Sequence, residues 1–352
     1  MKRAILWIFA ALVIGALAFA AWRLADERSF AATPFGDAPH TVLVPPGTGP
    51  HALAKLLAAN GVVSSEDRFY THLHYFRRSS SPRAGEYEFP GPVTPDDALA
   101  RMVRGEVKLY RFTVPEGLRV DEIAPLVGGT GLCPADEFLR LARDAATAKK
   151  LGVPARSFEG FLFPDTYSIQ RGAGCQGILA AMVSRFQAAW KAAQAQRSPD
   201  VKLTELEAIT LASIVEKETA QAEERGRVSC VFHNRLKKHI PLGTDPTVIY
   251  SVLLLNDFKW DGNLHKSDLV RPHPYNTYVV KGLPPGPISN PGAAAMVAAL
   301  HPLVCNDLFF VSKNDHTHVF CPDLACHERN VQKWQVEYFR HKAGAQRRPQ
   351  RR

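Results

Sequence analysis

The sequence predicts an α+β protein: an N-terminal transmembrane helix, a small subdomain, and a larger mixed α/β domain with helices packed on a sheet. Three observations carry this. An uncharged apolar run of eighteen residues opens the chain, short β-branched runs alternate with helical stretches after it, and 352 residues are ample for more than one core. A hydrophobic fraction of 46% with 22% charge excludes a disordered chain, and six cysteines are too few for a disulfide-built miniprotein. The net charge of +9 admits nucleic acid, anionic lipid or an acidic polymer as partner without choosing among them, and Arg347, Arg348, Arg351 and Arg352 account for part of it.

The opening run is Ile5 to Trp22, with Lys2 and Arg3 before it. At about 1.5 Å per residue it makes roughly 27 Å of helix, enough for a bilayer core. The preceding positive charges put the N-terminus in the cytoplasm and everything from about residue 24 outside. A cleaved signal peptide is the rival reading, since Ala18-Phe19-Ala20 is an A-x-A site; the length of the run and Trp22, an interfacial anchor, favour an uncleaved helix. Residues 24–39, polar with Ala, Pro and Gly, read as a juxtamembrane linker. The expected organisation is therefore a cytoplasmic tip and anchor over 1–30, a small subdomain over 31–110, a larger domain over 111–340 and a basic tail over 341–352.

The exterior location favours disulfides among Cys133, Cys175, Cys230, Cys305, Cys321 and Cys326. The six cysteines allow fifteen pairings, and spacing does not choose one. A metal site is the alternative, because His316, His318, Cys321, Cys326 and His327 crowd together; C-x4-C-H is not a zinc spacing, so no metal or cofactor is expected.

In the small subdomain Thr41–Val44 reads as a strand, Pro45-Pro46-Gly47 as a turn, and His51–Leu57 as a helix ending near Asn60-Gly61. A helix over 66–78, a strand over 85–89 and a helix capped by Thr94 with Pro95 in its first turn follow. Seventy residues later the opening unit returns: Val44-Pro45-Pro46-Gly47 matches Val114-Pro115-Glu116-Gly117, and Leu53–Leu57 matches Ile123–Val127. Such a β-α-α-β unit either binds extended polymers on its surface or serves as a spacer. Residues 135–151 and 176–197 read as helices. Between them, Phe158, Phe161, Phe163 and Tyr167 are core candidates around the less ordinary Glu159, Asp165 and Thr166.

The chemistry concentrates after residue 204. Thr204 and Glu207 make a capping box for a helix that reads TELEAITLASIVEKETA. At about 100° per residue, Leu211, Ile214 and Val215 fall within about 60° of Glu218, while Glu216 lies about 160° away. A carboxyl on an apolar face is desolvated and its pKa rises, which suits a general acid near neutral pH. The plain alternative is a helix-end glutamate paired with a cation, and Ile209 makes the Glu216 side apolar too. Thr244 and Asp245 stand on a turn before an apolar segment, as N-cap and first-turn acid. In Pro274–Tyr278 an amide, Asn276, is flanked by Tyr275 and Tyr278; tyrosine faces stack on sugar rings and Asn bonds hydroxyl and acetamido groups. Residues 282–292 make a stiff turn, more scaffold than chemistry. No phosphate loop, dinucleotide fingerprint, G-x-S-x-G elbow or H-E-x-x-H is present.

Taken in order, EGFLFPDTY, ASIVEKET, TDPTVIY, YNTY, GLPPGPISNPG and the ending Phe309–Val311 with His318 resemble the MltG (YceG-like) endolytic murein transglycosylases over about 110–335. The upstream module resembles that family's LysM-like subdomain. The resemblance implies cleavage of the β-1,4 bond between N-acetylmuramic acid and N-acetylglucosamine inside nascent peptidoglycan strands, leaving 1,6-anhydro-muramoyl ends. It puts the catalytic glutamate on Glu218 and implies work beside peptidoglycan synthases. Thr244, Asp245, Tyr275, Asn276 and Tyr278 are expected to line the glycan groove, with Glu159 and Asp165 as weaker candidates. Family members commonly carry glutamine at Gly243 and asparagine at Glu328, and the pair Cys321 and Cys326 is foreign to the pattern, pointing to a local disulfide. Three rivals remain: a non-catalytic murein-binding protein, a hydrolase using Asp245 as second carboxylate, and a nucleic-acid binder, against which the compartment argues.

Overall fold

The computed structural model describes residues 2–37, 39–338 and 340; the basic tail expected over 341–352 lies outside them. The chain divides into two compact units, one of residues up to Tyr110 together with Ser168–Gly172, the other of Arg111–Tyr167 and the residues from Ala173 onward. The architecture is mixed α and β, with helices predominating.

The first unit begins with α1 (Lys2–Ala32), whose residues 5–22 expose their apolar side chains and are long and apolar enough to cross a membrane. The helix runs unbroken past Ala20 and takes in most of the stretch expected to be linker. Arg23–Ala32 is built of helix formers, and Glu27, Phe30 and Ala31 share one face and are buried. β1 (His40–Val44) pairs antiparallel with β2 (Gly85–Phe89), and α2 (Pro50–Ala59), α3 (Glu66–Thr71) and α4 (Pro95–Arg104) complete the unit. Phe30, Val42, Leu53, Phe69, Tyr87 and Phe89 form its core. Thr94 caps α4 by accepting from the Asp97 N–H at 3.0 Å, Pro95 begins it, and Gly105 ends it with φ of 72°.

The helix expected over 66–78 stops at Thr71 and widens into a π-helical turn over His72–Phe76. His72, nearly fully buried, lies between two carboxylates there: its Nδ1 is 2.5 Å from Glu27 of α1 and its Nε2 2.9 Å from Asp96, which Arg77 also holds at 2.7 Å. The segment Ser168–Gly172 belongs with this unit because Arg171 donates to Glu86 at 2.7 Å and to the Tyr110 hydroxyl at 2.6 Å.

The β-turn-α opening recurs. β3 (Leu109–Thr113) leads through Gly117 into α5 (Val120–Gly128), as β1 leads through Gly47 into α2; the two glycines have φ of 77° and 79°, where a side chain would be strained. α6 (Ala135–Ala142), α7 (Ala145–Lys150) and β4 (Thr166–Gln170), which pairs with β3, follow. The single helix expected over 135–151 is two, because Asp144 accepts from the Thr147 N–H at 2.8 Å and caps a new start. Phe158, Phe161 and Tyr167 are core, as expected, and Phe163 is half-buried.

α8 (Gly174–Gln194), α9 (Glu205–Glu218), α10 (Ala222–Lys237), α11 (Asp245–Leu255), α12 (Lys266–Leu269) and α13 (Ala293–Leu300) build the rest of the second unit. A hairpin of β5 (Phe309–Ser312) and β6 (His318–Cys321) and then α14 (Leu324–Val331) close it. α9 is central: it packs on α10, α11 and α13, and every residue from Ala208 to Val215 is buried. Its capping box forms as expected, with the Thr204 N–H donating to Glu207 at 2.7 Å and the Glu207 N–H to the Thr204 hydroxyl at 3.3 Å. Three disulfides, Cys133–Cys175, Cys230–Cys305 and Cys321–Cys326, tie this unit, the last being the local pair the sequence marks out. With both its sulfurs bonded to each other, that pair offers no thiolate to a metal.

Candidate active site

Since α9 is buried on all sides, an apolar face does not by itself distinguish Glu218 from Glu216. Their partners do. The Glu216 side chain is 6% exposed and engaged, accepting from the Gly292 N–H at 3.0 Å and from Arg225 at 3.2 Å. Glu218 is the last residue of the helix, and the extended Thr219 ends it (φ −139°, ψ 129°). Its carboxyl faces an open cleft of about 470 Å³, also lined by Arg235, Gly243, Asp245, Tyr278 and Phe309.

The surroundings of Glu218 make it a weak acid. Burial raises its pKa most; the Thr244 hydroxyl beside it pulls the other way, the negative Asp245 adds to the rise, and charges at His318 and Arg235 oppose it, leaving the group at about 7. Near neutral pH such a carboxyl can both give a proton and take one back.

Thr244 occupies the N-cap position of α11, but its side chain makes no capping bond. Its buried hydroxyl makes no hydrogen bond of good geometry among the described residues, yet lies close enough to Glu218 to lower that carboxyl's pKa. Asp245 is exposed in the first turn and accepts from the Tyr278 phenol at 2.8 Å. Burial, that bond and the negative charge of Asp245 raise the pKa of Tyr278, so it stays a neutral donor. Thr244, Asp245 and Tyr278 thus gather around Glu218.

The other expected groove residues lie elsewhere. Asn276 is fully buried, and its amide donates to the carbonyls of Asp268, Leu269 and Arg271 at 3.0, 3.1 and 2.8 Å while its oxygen accepts from the Tyr278 N–H. It fixes the loop that carries Tyr278 and has no donor left for an acetamido group. Tyr275 packs on Tyr250 with ring centroids 4.9 Å apart and faces a second cleft of about 570 Å³. Glu159 borders that second cleft; its carboxyl accepts from the Val120 N–H, the Asn290 amide and the Tyr250 phenol at 3.2–3.3 Å. Burial, with help from Asp121, pushes Glu159 up to about 8. Asp165 is paired with Arg185 at 2.5 Å and accepts from the Thr166 N–H; despite some burial, these bonds hold it below the usual carboxylate range. The segment 282–292 is the scaffold expected: the Ser213 hydroxyl accepts from the Ile288 N–H, and Asn290 accepts from the Leu162 N–H and donates to the Leu118 carbonyl.

Sequence reasoning missed Arg235, which in the basic stretch HNRLKK of α10 reads as one more solvated cation. His327, considered in the sequence only as a metal ligand, lines the cleft stacked on Phe309 at 5.0 Å, with a pKa lowered by burial and a buried Nδ1 that has no partner among the described residues. His318, noted as part of a motif and of the candidate metal cluster, is held by Glu224, which accepts from its backbone N–H at 2.9 Å and lies 2.6 Å from its Nδ1.

Fold and site together define an α+β protein with an apolar N-terminal helix and a cleft built around one weakly acidic carboxyl. Comparison with known proteins gives the family: the sequence model of the YceG-like family matches residues 42–333, and the chain belongs to that family. It is 28% identical over 307 residues to a protein of Bacillus subtilis named endolytic murein transglycosylase, with 83% of each chain covered. A Streptococcus pneumoniae protein of the same name is 27% identical over 330 residues; there 83% of this chain spans 57% of the relative. The crystal structure of a YceG-like protein from Listeria monocytogenes superposes with a TM-score of 0.56 at 27% identity, covering 84% of this chain and 99% of that one.

Proposed function

We propose that the chain is an endolytic murein transglycosylase, a lyase that cuts peptidoglycan glycan strands at the β-1,4 bond between N-acetylmuramic acid and N-acetylglucosamine and leaves 1,6-anhydro-muramoyl ends. The names of the B. subtilis and S. pneumoniae relatives support the reaction class. The observation that carries the mechanism is Glu218, a half-buried carboxyl at about 7 facing an open cleft.

Protonated Glu218 gives its proton to the glycosidic oxygen as the bond to the muramoyl C1 breaks and the N-acetylglucosamine 4-hydroxyl leaves. The resulting carboxylate takes the proton of the muramoyl 6-hydroxyl while that oxygen bonds to C1. No water is consumed, and Glu218 ends protonated. An ordinary glycosidase needs a second carboxylate as nucleophile or to activate water; here the sugar's own hydroxyl takes that place. The charges at Arg235 and His318 favour the carboxylate midway through the cycle, and the Thr244 hydroxyl holds it. Tyr278, braced by Asp245, offers a ring face to a sugar.

Helix α1 is proposed as an uncleaved single-pass anchor, with the rest of the chain extracytoplasmic. Two features support this: the helix is continuous through Ala18–Ala20 into the first unit's core, and three disulfides suit an oxidising compartment. The first unit is proposed as the LysM-like subdomain and the second as the catalytic domain.

Digestion of uncrosslinked strands by wild type and Glu218→Gln, with product ends read by mass spectrometry, tests the reading. Anhydro-muramoyl ends from the wild type alone are expected. Reducing muramoyl ends would instead make the enzyme a hydrolase and direct attention to Asp245, the other carboxylate of the same cleft.

A further inference from the structure

Arg235 is a half-buried cation bonded only to neutral groups. Its Nε–H donates to the Leu308 carbonyl and an Nη1–H to the Leu242 carbonyl, both at 2.6 Å, with the Pro241 carbonyl at 3.4 Å. Nη2 makes no hydrogen bond within the chain, and no carboxylate forms an ion pair with the guanidinium, among the described residues. Burying a cation without a counter-charge is unfavourable unless something supplies one. The carboxyl whose field reaches Arg235 is Glu218, which must be protonated, and so neutral, when the substrate arrives.

The approach to this guanidinium is kept open. One side rests over the Phe309 ring, 5.0 Å from its centroid. On the cleft side stands Gly243, at φ of 55°, where a Cβ would lie 3.4 Å from Nη1 and 3.7 Å from the Tyr278 ring. A side chain here would cover the fork that the glycine leaves uncovered. A planar guanidinium with free N–H groups beside an aromatic ring matches a carboxylate carried on a sugar.

We propose that Arg235, reached through the gap at Gly243, forms an anion subsite that binds a carboxylate borne by the muramoyl residue of the strand. This rests on the reading that the cleft takes a murein strand. The muramoyl lactyl ether ends in a free carboxylate when the strand is bare, and in an amide when a peptide stem is attached, whose own carboxylates then supply the charge. A strand of N-acetylglucosamine alone carries neither.

The test is calorimetric binding to full-length protein carrying Glu218→Gln, so that no ligand is cut. The probes are a muramoyl tetrasaccharide with free lactyl carboxylates, the same with each carboxyl converted to a methylamide, a stem-bearing tetrasaccharide, and a tetrasaccharide of N-acetylglucosamine. A charged strand should bind about tenfold tighter than the methylamide at low ionic strength. If only the free-lactyl probe gains, the ligand is the lactyl carboxylate; if the stem-bearing probe gains, it is a stem carboxylate. Adding Arg235→Gln should abolish the difference, and Arg235→Lys should keep part of it. Gly243→Asn, a residue that accepts a left-handed backbone, leaves the carbonyl bonds of Arg235 in place and should also abolish it, so the test survives if Arg235→Gln fails to fold. Equal affinity for charged and methylamide strands in the Glu218→Gln protein, or a preference that persists in Arg235→Gln, would overturn the subsite while leaving the glycan reading intact. Binding of none of the four probes would overturn both.

Discussion

Glu218, half-buried, and Glu159, buried, both have raised pKa values, and their partners separate them. Glu159 spends its oxygens on Val120, Asn290 and Tyr250, whereas Glu218 meets a lone hydroxyl and an open cleft. Glu159 is therefore a brace, and Glu218 is the group proposed to exchange protons. With Glu218 at about 7 and acting as the proposed acid, kcat/KM should be level below that pH and fall about tenfold per unit above it. A pH–rate profile checks this. For Glu159 the linkage runs opposite to that of an ordinary salt-bridged carboxylate. Its folded pKa, about 8, exceeds the ordinary 4.5, so folded protein holds the extra proton between those values. Stability is greatest below about 4.5, declines as pH rises to about 8 and is level beyond. Glu159→Gln, whose amide oxygen still accepts from Val120 and Asn290 and whose NH2 can donate to a rotated Tyr250 hydroxyl, should flatten that decline and match or exceed wild type at pH above about 8. Glu159→Leu should cost about 3 kcal/mol by orphaning buried donors. Thermal unfolding across pH separates these outcomes. The sequence singles out Glu218 through its motif more than its helical face, because α9 has no exposed face for a wheel to contrast. Asn276 was misread for a related reason: sequence exposes its flanking tyrosines but not the three carbonyls that consume its amide.

Elements with local chemistry were the legible ones. Thr204 with Glu207, and Thr94 with Pro95, fix helix starts from side chains within one turn, and both form as read. Asp144 does the same inside an apparently continuous helical stretch, and there the local signal was passed over. The extent of α1 was hidden because it depends on distant partners. Arg23–Ala32 looks polar, and partners far along the chain, with Glu27 on His72, 45 residues on, and Phe30 in the core, make one of its faces a packing surface. Glu27→Leu should leave the buried His72 Nδ1 without its partner and destabilise the first unit by roughly 2–4 kcal/mol. His72→Phe in the same chain should recover part of the loss. Circular-dichroism melts of the detergent-solubilised protein would register both, and an unchanged melting temperature in Glu27→Leu would show that the contact contributes nothing.

At the scale of the whole molecule, an apolar helix continues into a folded unit, and a second unit carries the cleft. The repeated turn at Gly47 and Gly117 was visible in sequence because the positive φ calls for glycine three residues after Val44 and after Val114 alike. The disulfide connectivity was not, since Cys133–Cys175 and Cys230–Cys305 join residues 42 and 75 positions apart and only the fold brings them together. Residues 168–172 were equally unreadable, since their membership of the first unit depends on Arg171 reaching Glu86. If α1 is an anchor, N-terminal sequencing of protein extracted from membranes should begin at the start of the chain; a start just after Ala20 would identify a signal peptide instead. The central claim is that the sugar's own hydroxyl, and not water, completes the reaction at Glu218. Digestion of glycan strands in water enriched in oxygen-18, followed by mass analysis of the new muramoyl ends, addresses it most directly. The account predicts anhydro ends carrying no label, and labelled reducing ends would contradict it.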